Sequence, residues 1–468
     1  MKKPKVLVIG LDGGTPEFIF EKFWDKLPNL RKLGEAGVWQ EIETTTPAVT
    51  PPAWTSMLTG KNPGKFGFWD FVFRRDFSYG EKELVGSGKI ESKPLYSYLD
   101  EAGLRCALIN LAVSYPPIKL KNGICIGSFL NPDNQKSLGH PENIYKEVED
   151  VLGEPYLLDA ARVGVNFRDI PKDEVYELIK KMDGQRFTLL KHYLKKVEFD
   201  FVMTVIMGTD RLGHLLVNMV DENHVHFDKS SKLKNAYLDH LQFVDREIGE
   251  VLKFVDEDTY VFVLSDHTVQ RLDSRFNFND WLYDQSYLKL KSGKPKKPTT
   301  LAKADVDWAQ TIAWSEGFME ARFYINLKGR EAQGAVEKTE FEKVKAELQE
   351  KIKTITDQNG KPLKVEIIER ESVMWGPYAK YGPDFLVRLN DANWANNAVM
   401  GYDNYYSYNT PIGEDEGTHG NKAIFIGRGQ GLDKSLAHRK IKLFDLTPTI
   451  LKIFDIEAKE DFDGKSLI

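Results

Sequence analysis

Val6–Gly14 reads VLVIGLDGG, a short apolar run that stops at an aspartate and two glycines. Such a run fits a strand buried on both faces, as central strands of parallel sheets are. It is too short for a secretory apolar segment or a membrane span, despite the lysines at positions 2, 3 and 5. A residue at the carboxyl end of such a strand points into the crevice where open α/β sheets bind ligands. The pattern recurs. Phe199–Met207, FDFVMTVIM, runs into Gly208-Thr209-Asp210, and Thr259–Leu264, TYVFVL, runs into Ser265-Asp266-His267. One parallel sheet would place Asp12, Asp210 and Asp266 on a single rim. Carboxylates gathered there are costly unless cations sit among them. The sequence therefore predicts an α/β fold with a mainly parallel sheet and a rim that attracts cations.

The rest of the chain supplies the connections. Helices are expected over Thr15–Leu33, Ser92–Ala102, Asn235–Phe254 and Leu443–Phe454. Pro171–Lys196 carries Val175, Ile179, Met182, Leu190 and Leu194 near helical spacing. Gly37–Thr44 alternates like an edge strand, and Leu104–Asn110, Gly123–Gly127 and Ala423–Gly427 read as further strands. Asn131–Asn166 is rich in loop residues. The basic, Gly/Pro-rich stretch Lys289–Thr300, KLKSGKPKKPTT, reads as a boundary. Beyond it come strands at Arg322–Leu327, Leu363–Glu369 and Asp384–Leu389. A helix is expected over Thr339–Ile355, with Thr339 and Glu342 placed for a capping box. The expected organisation is a catalytic core of residues 1–288 and 410–468 with an inserted, smaller α+β cap at 289–409. Asn390–Asn409, rich in Asn, Tyr and Trp, suits a pocket rim. Trp54, Trp69, Trp375 and Trp394 suit either core or the wall of a base or lipid pocket.

Composition narrows the function. The 468 residues are 41% hydrophobic and 29% charged with a net charge of −6, a balance that argues against nucleic-acid polymers as partners. No apolar run approaches membrane length, so no transmembrane segment is expected. Two cysteines, Cys106 and Cys125, imply no disulfide framework, and a cytoplasmic protein is expected.

The stretch Thr45–Asp70, TTPAVTPPAWTSMLTGKNPGKFGFWD, is hydroxyl-rich, then stiffened by prolines, then helical in character. Thr50 stands at the predicted helix start, where a hydroxyl can meet an anionic substrate. An unassisted threonine is a poor nucleophile, so its alkoxide needs stabilising. Asp12, Asp210, His214, Asp266, His267 and His419 are the candidates. Asp210 and His214, four residues apart, face the same way on a helical turn. Asp266 and His267, being adjacent, could serve different ions or both. His419 lies in a glycine-flanked loop, Gly417–Asn421. Imidazole with carboxylate suits Zn²⁺, and also Mn²⁺ or Fe²⁺. His140, His192, His224, His226, His240 and His438 lack such context and read as surface or packing residues, with the H-V-H pair His224 and His226 alone left open as ligands.

The ordered set resembles the alkaline phosphatase superfamily, and within it the type I phosphodiesterase/nucleotide pyrophosphatase branch. It comprises strand–Asp12, Thr50 ahead of TSMLTGKNPGKFG, D-x-x-G-H at Asp210–His214, S-D-H at Ser265–His267 and G-x-H-G at Gly417–Gly420. The likeness runs to the C-terminal LFDLTPTILKIF. It implies a three-layer α/β/α core and two divalent ions, usually zinc. Asp210, His214 and His419 match the ligands of one ion, and Asp12, Asp266 and His267 those of the other, with Thr50 between them. It further implies a phosphothreonine intermediate on Thr50 and a small-molecule phosphate ester as substrate.

The chain departs from that branch at three positions. Pro51 replaces the residue whose N–H helps hold a phosphate oxygen. Phe71 stands where a phosphate-binding asparagine is usual, and Thr268 follows S-D-H. Lys61, Lys65, Arg211 or a main-chain amide could replace the missing donors. Alongside a diesterase or pyrophosphatase stand a phosphomonoesterase, phosphonate hydrolase or phosphotransferase of the same superfamily. A non-catalytic, metal-stabilised binding protein is the reading from another class.

Overall fold

The structure, a computed structural model, describes residues 4–80, 82–132, 135–161, 165–411 and 413–468. The lysines at positions 2 and 3, and part of the loop-rich stretch 131–166, lie outside the described residues. Apolar runs become buried strands. In the eight-stranded main sheet the order is Val38–Glu43, Lys422–Arg428, Tyr260–Leu264, Val6–Leu11, Phe201–Ile206, Cys106–Ile109, Gly123–Ile126 and Gly139–His140. The five central strands, Tyr260–Leu264 through Gly123–Ile126, are mutually parallel. The outer pairings are antiparallel. The register aligns Leu11 with Ile206 and Gly10 with Leu264, so the chain leaves all three strands at one level.

Helices form two groups. Pro28–Glu35, Lys172–Lys196 and Ala236–Val251 pack together, while Thr50–Thr59, Leu95–Glu101 and Leu446–Ile453 form the other group. One continuous apolar core spans the sheet and both groups. The helix expected over Thr15–Leu33 is broken into a π-helical turn Glu17–Lys22, a 3₁₀ turn Trp24–Lys26 and a helix Pro28–Glu35. Pro28 has no N–H to donate backwards, so it opens a new helix.

A second sheet has its own core. Its order is Ala313–Glu316, Ala321–Ile325, Phe385–Leu389, Trp394–Asn396, Ser274–Phe276 and Tyr406–Ser407, with Val365–Glu369 also paired to Phe385–Leu389. Phe323 and Phe385 stack at its centre, 4.9 Å apart, and Leu348 and Ile352 of helix Phe341–Ile352 are buried against it. This unit takes in Ser274–Phe276 and Phe278–Asp284, upstream of the expected start at 289. The basic stretch at 289–300 is an excursion within it. Leu290 bridges to Val306, and Thr299–Thr300 pair with Val399–Met400. The expected capping box is absent: the helix starts at Phe341, and Glu340 makes no side-chain cap. Among the described residues no helix is long and apolar enough to cross a membrane.

Candidate active site

The common rim of the main sheet gathers the acids. Asp12 follows strand Val6–Leu11, and its N–H donates to the carbonyl of Ile206 at 2.9 Å. Asp210 and His214 lie on helix Gly208–Leu216, which begins just after Phe201–Ile206. Asp266 and His267 follow Tyr260–Leu264. His419 sits not in a loop but in a short strand, Gly417–Gly420, antiparallel to Thr268–Arg271, with His419 opposite Val269. Two glycines permit this crowding. Gly13 has φ +68, and a Cβ there would lie 2.8 Å from the Asp210 Cα. At Gly208 a Cβ would lie 2.1 Å from Asp183 Oδ2. That carboxylate accepts the Gly208 N–H at 3.1 Å and contacts His240 Nε2 at 2.9 Å, so a buried Asp–His pair seats the helix that carries Asp210.

Thr50 is the first residue of helix Thr50–Thr59, whose prolines 51 and 52 occupy the first turn. The helix is seated by Trp54. Its ring fills the space left by Gly10, where a Cβ would lie 2.4 Å from it, and its N–H donates to Asp12 Oδ2 at 2.8 Å. Thr50 Oγ1 lies 3.1 Å from His267 Nε2 and 3.5 Å from Asp12 Oδ1. It is 3% exposed, so its surroundings rather than water set its reactivity.

The histidines turn their Nε2 atoms inward. His214 Nε2 lies 3.0 Å from His419 Nε2 and 3.4 Å from Asp210 Oδ1, and His419 Nε2 lies 3.5 Å from Asp210 Oδ1. His267 Nε2 is 3.2 Å from Asp266 Oδ2, and its ring stacks on His419 with centroids 3.7 Å apart. Asp12, Asp266 and His267 offer atoms within 4.8 Å of one another, and so do Asp210, His267 and His419. His267 thus borders both groups. The six side chains picked out in the sequence lie together, with the Thr50 hydroxyl beside them.

Burial and mutual repulsion perturb the acids and bases of this rim. Burial first, then Asp210, pushes the Asp12 carboxyl up to about 8. Burial and Asp12 push Asp266 well above the usual range. Burial also raises Asp210, but His214, His419 and Arg211 hold it well below. His267 is pushed well down by burial and by His419. Asp210 Oδ1 and Asp266 Oδ2 are buried without a hydrogen-bond donor, although histidine nitrogens lie 3.2–3.5 Å away. Orphaned carboxylate oxygens facing imidazole nitrogens in a dry rim are the donor set of a divalent cation. The residues fit such ions.

A cavity of about 420 Å³ opens onto Thr50, Asp210, His214 and His419. Its apolar wall includes Phe71, Phe129, Phe167 and Phe318. None of the four tryptophans lines it, and neither does the loop 390–409, which is spent on the second sheet. Arg211 borders the cavity. Asp159 grips its guanidinium at 2.8 and 3.0 Å, Asp210 at 2.5 Å, and the rings of Phe129 and Phe167 lie beside it. Lys61 and Lys65 are elsewhere. Lys61 pairs with Glu460 at 2.5 Å, and Lys65 with Asp463 at 2.8 Å and Asp461 at 3.2 Å. The left-handed Gly60 ends the Thr50 helix and leads the chain toward the C-terminal segment, away from the rim. The sequence reading missed Asp159, Arg168, Arg322 and Asp415. Arg168 and Arg322 line the cavity wall, and Arg322 pairs with Asp70 beside Phe71. No local pattern marks them, since each partner is remote in the chain.

The main sheet, its helices and this rim have the alkaline-phosphatase-like fold, a fold that carries phosphoric ester hydrolases. A family model for type I phosphodiesterase / nucleotide pyrophosphatase matches residues 6–420, and the chain belongs to that family. No curated protein sequence matches it. Among solved structures, phosphonoacetate hydrolase from Sinorhizobium meliloti 1021 with phosphonoformate is similar over 97% of this chain and 96% of its own, with TM-score 0.62 and 14% identity. Murine ectonucleotide pyrophosphatase / phosphodiesterase 5, in an inactive form with AMP, is similar over 99% and 98%, with TM-score 0.54 and 13% identity. At such identities the likeness speaks for the fold.

Proposed function

We propose that the chain is a two-metal phosphodiesterase whose nucleophile is Thr50, acting on a small ester with an apolar arm. The observation that carries this is the placement of one threonine hydroxyl at the edge of six ligand-type side chains and at the mouth of an aromatic cavity. Asp210, His214 and His419 would hold one divalent ion and Asp12, Asp266 and His267 the other, most simply Zn²⁺. Bound there, the ions supply positive charge that lowers the pKa of a nearby hydroxyl and neutralises oxygens of an in-line displacement.

The chain's own groups do the rest. The helix start fixes Thr50 Oγ1 against the rim, and Trp54 anchors that helix to Asp12. Thr50 Oγ1 forms a bond to phosphorus as the ester oxygen leaves and takes up a proton. Water then cleaves the phosphothreonine, giving a phosphomonoester and restoring the hydroxyl. Pro51 and Pro52 offer no N–H, so the donor for a phosphate oxygen is assigned to Arg211. Each of its terminal nitrogens keeps an N–H beyond those given to Asp159 and Asp210.

A diester is favoured over a monoester by charge. Among the described residues each arginine lining the cavity is already paired: Arg168 with Asp415, Arg211 with Asp159 and Asp210, Arg322 with Asp70. The test is turnover of bis-p-nitrophenyl phosphate against p-nitrophenyl phosphate by zinc-loaded protein. The diester should be preferred, and Thr50→Ala should lower kcat roughly a thousandfold or more. Near-normal turnover by the variant would remove Thr50 from the chemistry, and a preference for the monoester would overturn the substrate class.

A further inference from the structure

His214 differs from the other two rim histidines in what lies behind it. The Nδ1 of His419 faces the carbonyl of Ala48 at 2.9 Å, and that of His267 the carbonyl of Thr268 at 3.3 Å. Behind His214 stands a carboxylate. Asp415 Oδ1 lies 3.2 Å from His214 Nδ1, in a bent contact, and Nδ1 has no other partner. The main chain enforces the pairing, because Glu416 N–H donates to the His214 carbonyl at 2.7 Å.

Asp415 is itself held from two sides. Arg168 Nε donates to Oδ1 at 2.6 Å, and Arg275 Nη2 to Oδ2 at 3.1 Å. Arg275 is fully buried in strand Ser274–Phe276 of the second sheet. Its Nη1 donates to the carbonyls of Phe318 at 2.6 Å and Asn396 at 3.3 Å, and its Nε to that of Tyr408 at 3.2 Å. Phe318 and Arg168 both line the cavity. A carboxylate so fixed can hold an imidazole in one tautomer and one orientation.

We infer that Asp415 is a positioning residue that keeps the proton of His214 on Nδ1 and leaves Nε2 free for a divalent ion. The second sheet, which contributes no ligand, thereby shapes the rim through Arg275. This inference rests on the two-metal reading above. A buried Asp415 that merely neutralised Arg168 and Arg275 would affect folding but not the affinity of one ion.

The test uses the full chain, stripped and reloaded with Zn²⁺ against a chelating dye. Wild-type protein should bind two ions. Asp415→Asn should bind one of them about 10–100-fold more weakly and the other unchanged. Excess Zn²⁺ should restore its kcat, while the stripped variant, having lost the charge that pairs with Arg168 and Arg275, should melt below the stripped wild type. Two ions bound by the variant as tightly as by the wild type would overturn the inference and leave the metal site standing. No zinc bound by the wild type would overturn the metal reading and this inference with it. Should Asp415→Asn fail to fold, ¹⁵N-histidine NMR of zinc-loaded wild-type protein decides instead. A slowly exchanging proton on His214 Nδ1 supports the assignment, and a proton on Nε2 refutes it.

Discussion

Both halves of this molecule bury acids, and they treat them oppositely. In the second sheet and its seam with the core such acids meet a cationic side chain, Lys294 for Asp280 at 3.0 Å and a guanidinium for the others named here. Glu331 takes Arg74 at 2.7 Å and Arg330 at 2.9 Å, Asp384 takes Arg330 at 2.6 Å, and Glu320 takes Arg388 at 2.5 Å. On the rim of the main sheet, among the described residues, only Asp210 has one, from Arg211. Asp12 receives an indole N–H and Asp266 a backbone N–H, neither of them charged. Buried acids therefore do not by themselves mark a metal site. Buried acids that cluster with too few donors do, because an unpaired buried charge costs several kcal/mol, whereas single acids such as Asp245 are satisfied by N–H groups.

The comparison breaks most visibly if the rim needs nothing from outside. Removing divalent ions with a chelator should abolish turnover and lower the melting temperature. At a hundredfold excess over Kd each ion contributes about 2.7 kcal/mol. Hydrogen exchange should localise the loss, with amides of 12–15, 208–214 and 266–269 losing protection and those of Phe323 and Phe385 keeping theirs. Unchanged melting and exchange after complete stripping would mean that the rim acids are as self-sufficient as those of the second sheet.

The sequence showed the rim better than it showed the rim's supports. Central strands must be apolar on both faces, so Asp12, Asp210 and Asp266 stood out as the charges that end them. Helical spacing tied His214 to Asp210, and the structure has them 3.4 Å apart. Asp415, Arg168 and Arg275 gave no such signal, because a polar residue in a loop reads as solvated until its remote partner is known. Lys61 and Lys65 misled for the converse reason. They lie near Thr50 in the chain, but the turn at Gly60 carries them away. The edge of the second unit was hidden because Ser274–Phe276 is too short to show a period, whereas 289–300 shifts composition without leaving that unit.

Acid should sharpen the contrast. Burial raises the Glu316 carboxyl, but Lys82 first and Arg322 next bring it down to about 2. A depressed folded pKa stabilises above the unfolded value of 4.5 and loses that contribution as pH falls through about 2. Wild-type protein should therefore lose more unfolding free energy between pH 5 and about 2 than Glu316→Gln, by at most about 3 kcal/mol. Equal losses would show that Lys82 and Arg322 do not neutralise this acid.

The smallest expected effect bears on whether, among the described residues, the rim has a cation of its own besides Arg211. Lys61 and Lys65 carry the nearest lysine charges to Thr50 in sequence, and both are committed to the C-terminal acids Glu460, Asp461 and Asp463. Replacing both by methionine keeps their length and removes their charge. Stability should fall by about 1 kcal/mol or less, as partly exposed pairs usually contribute. Because neither lysine borders the cavity, kcat/KM for a diester should stay within about twofold, a change of only a few tenths of a kcal/mol. A tenfold rise in KM would place a lysine charge within reach of the phosphate. The rim would then hold a compensating cation of its own, and the difference between the two sets of acids would narrow to one of degree.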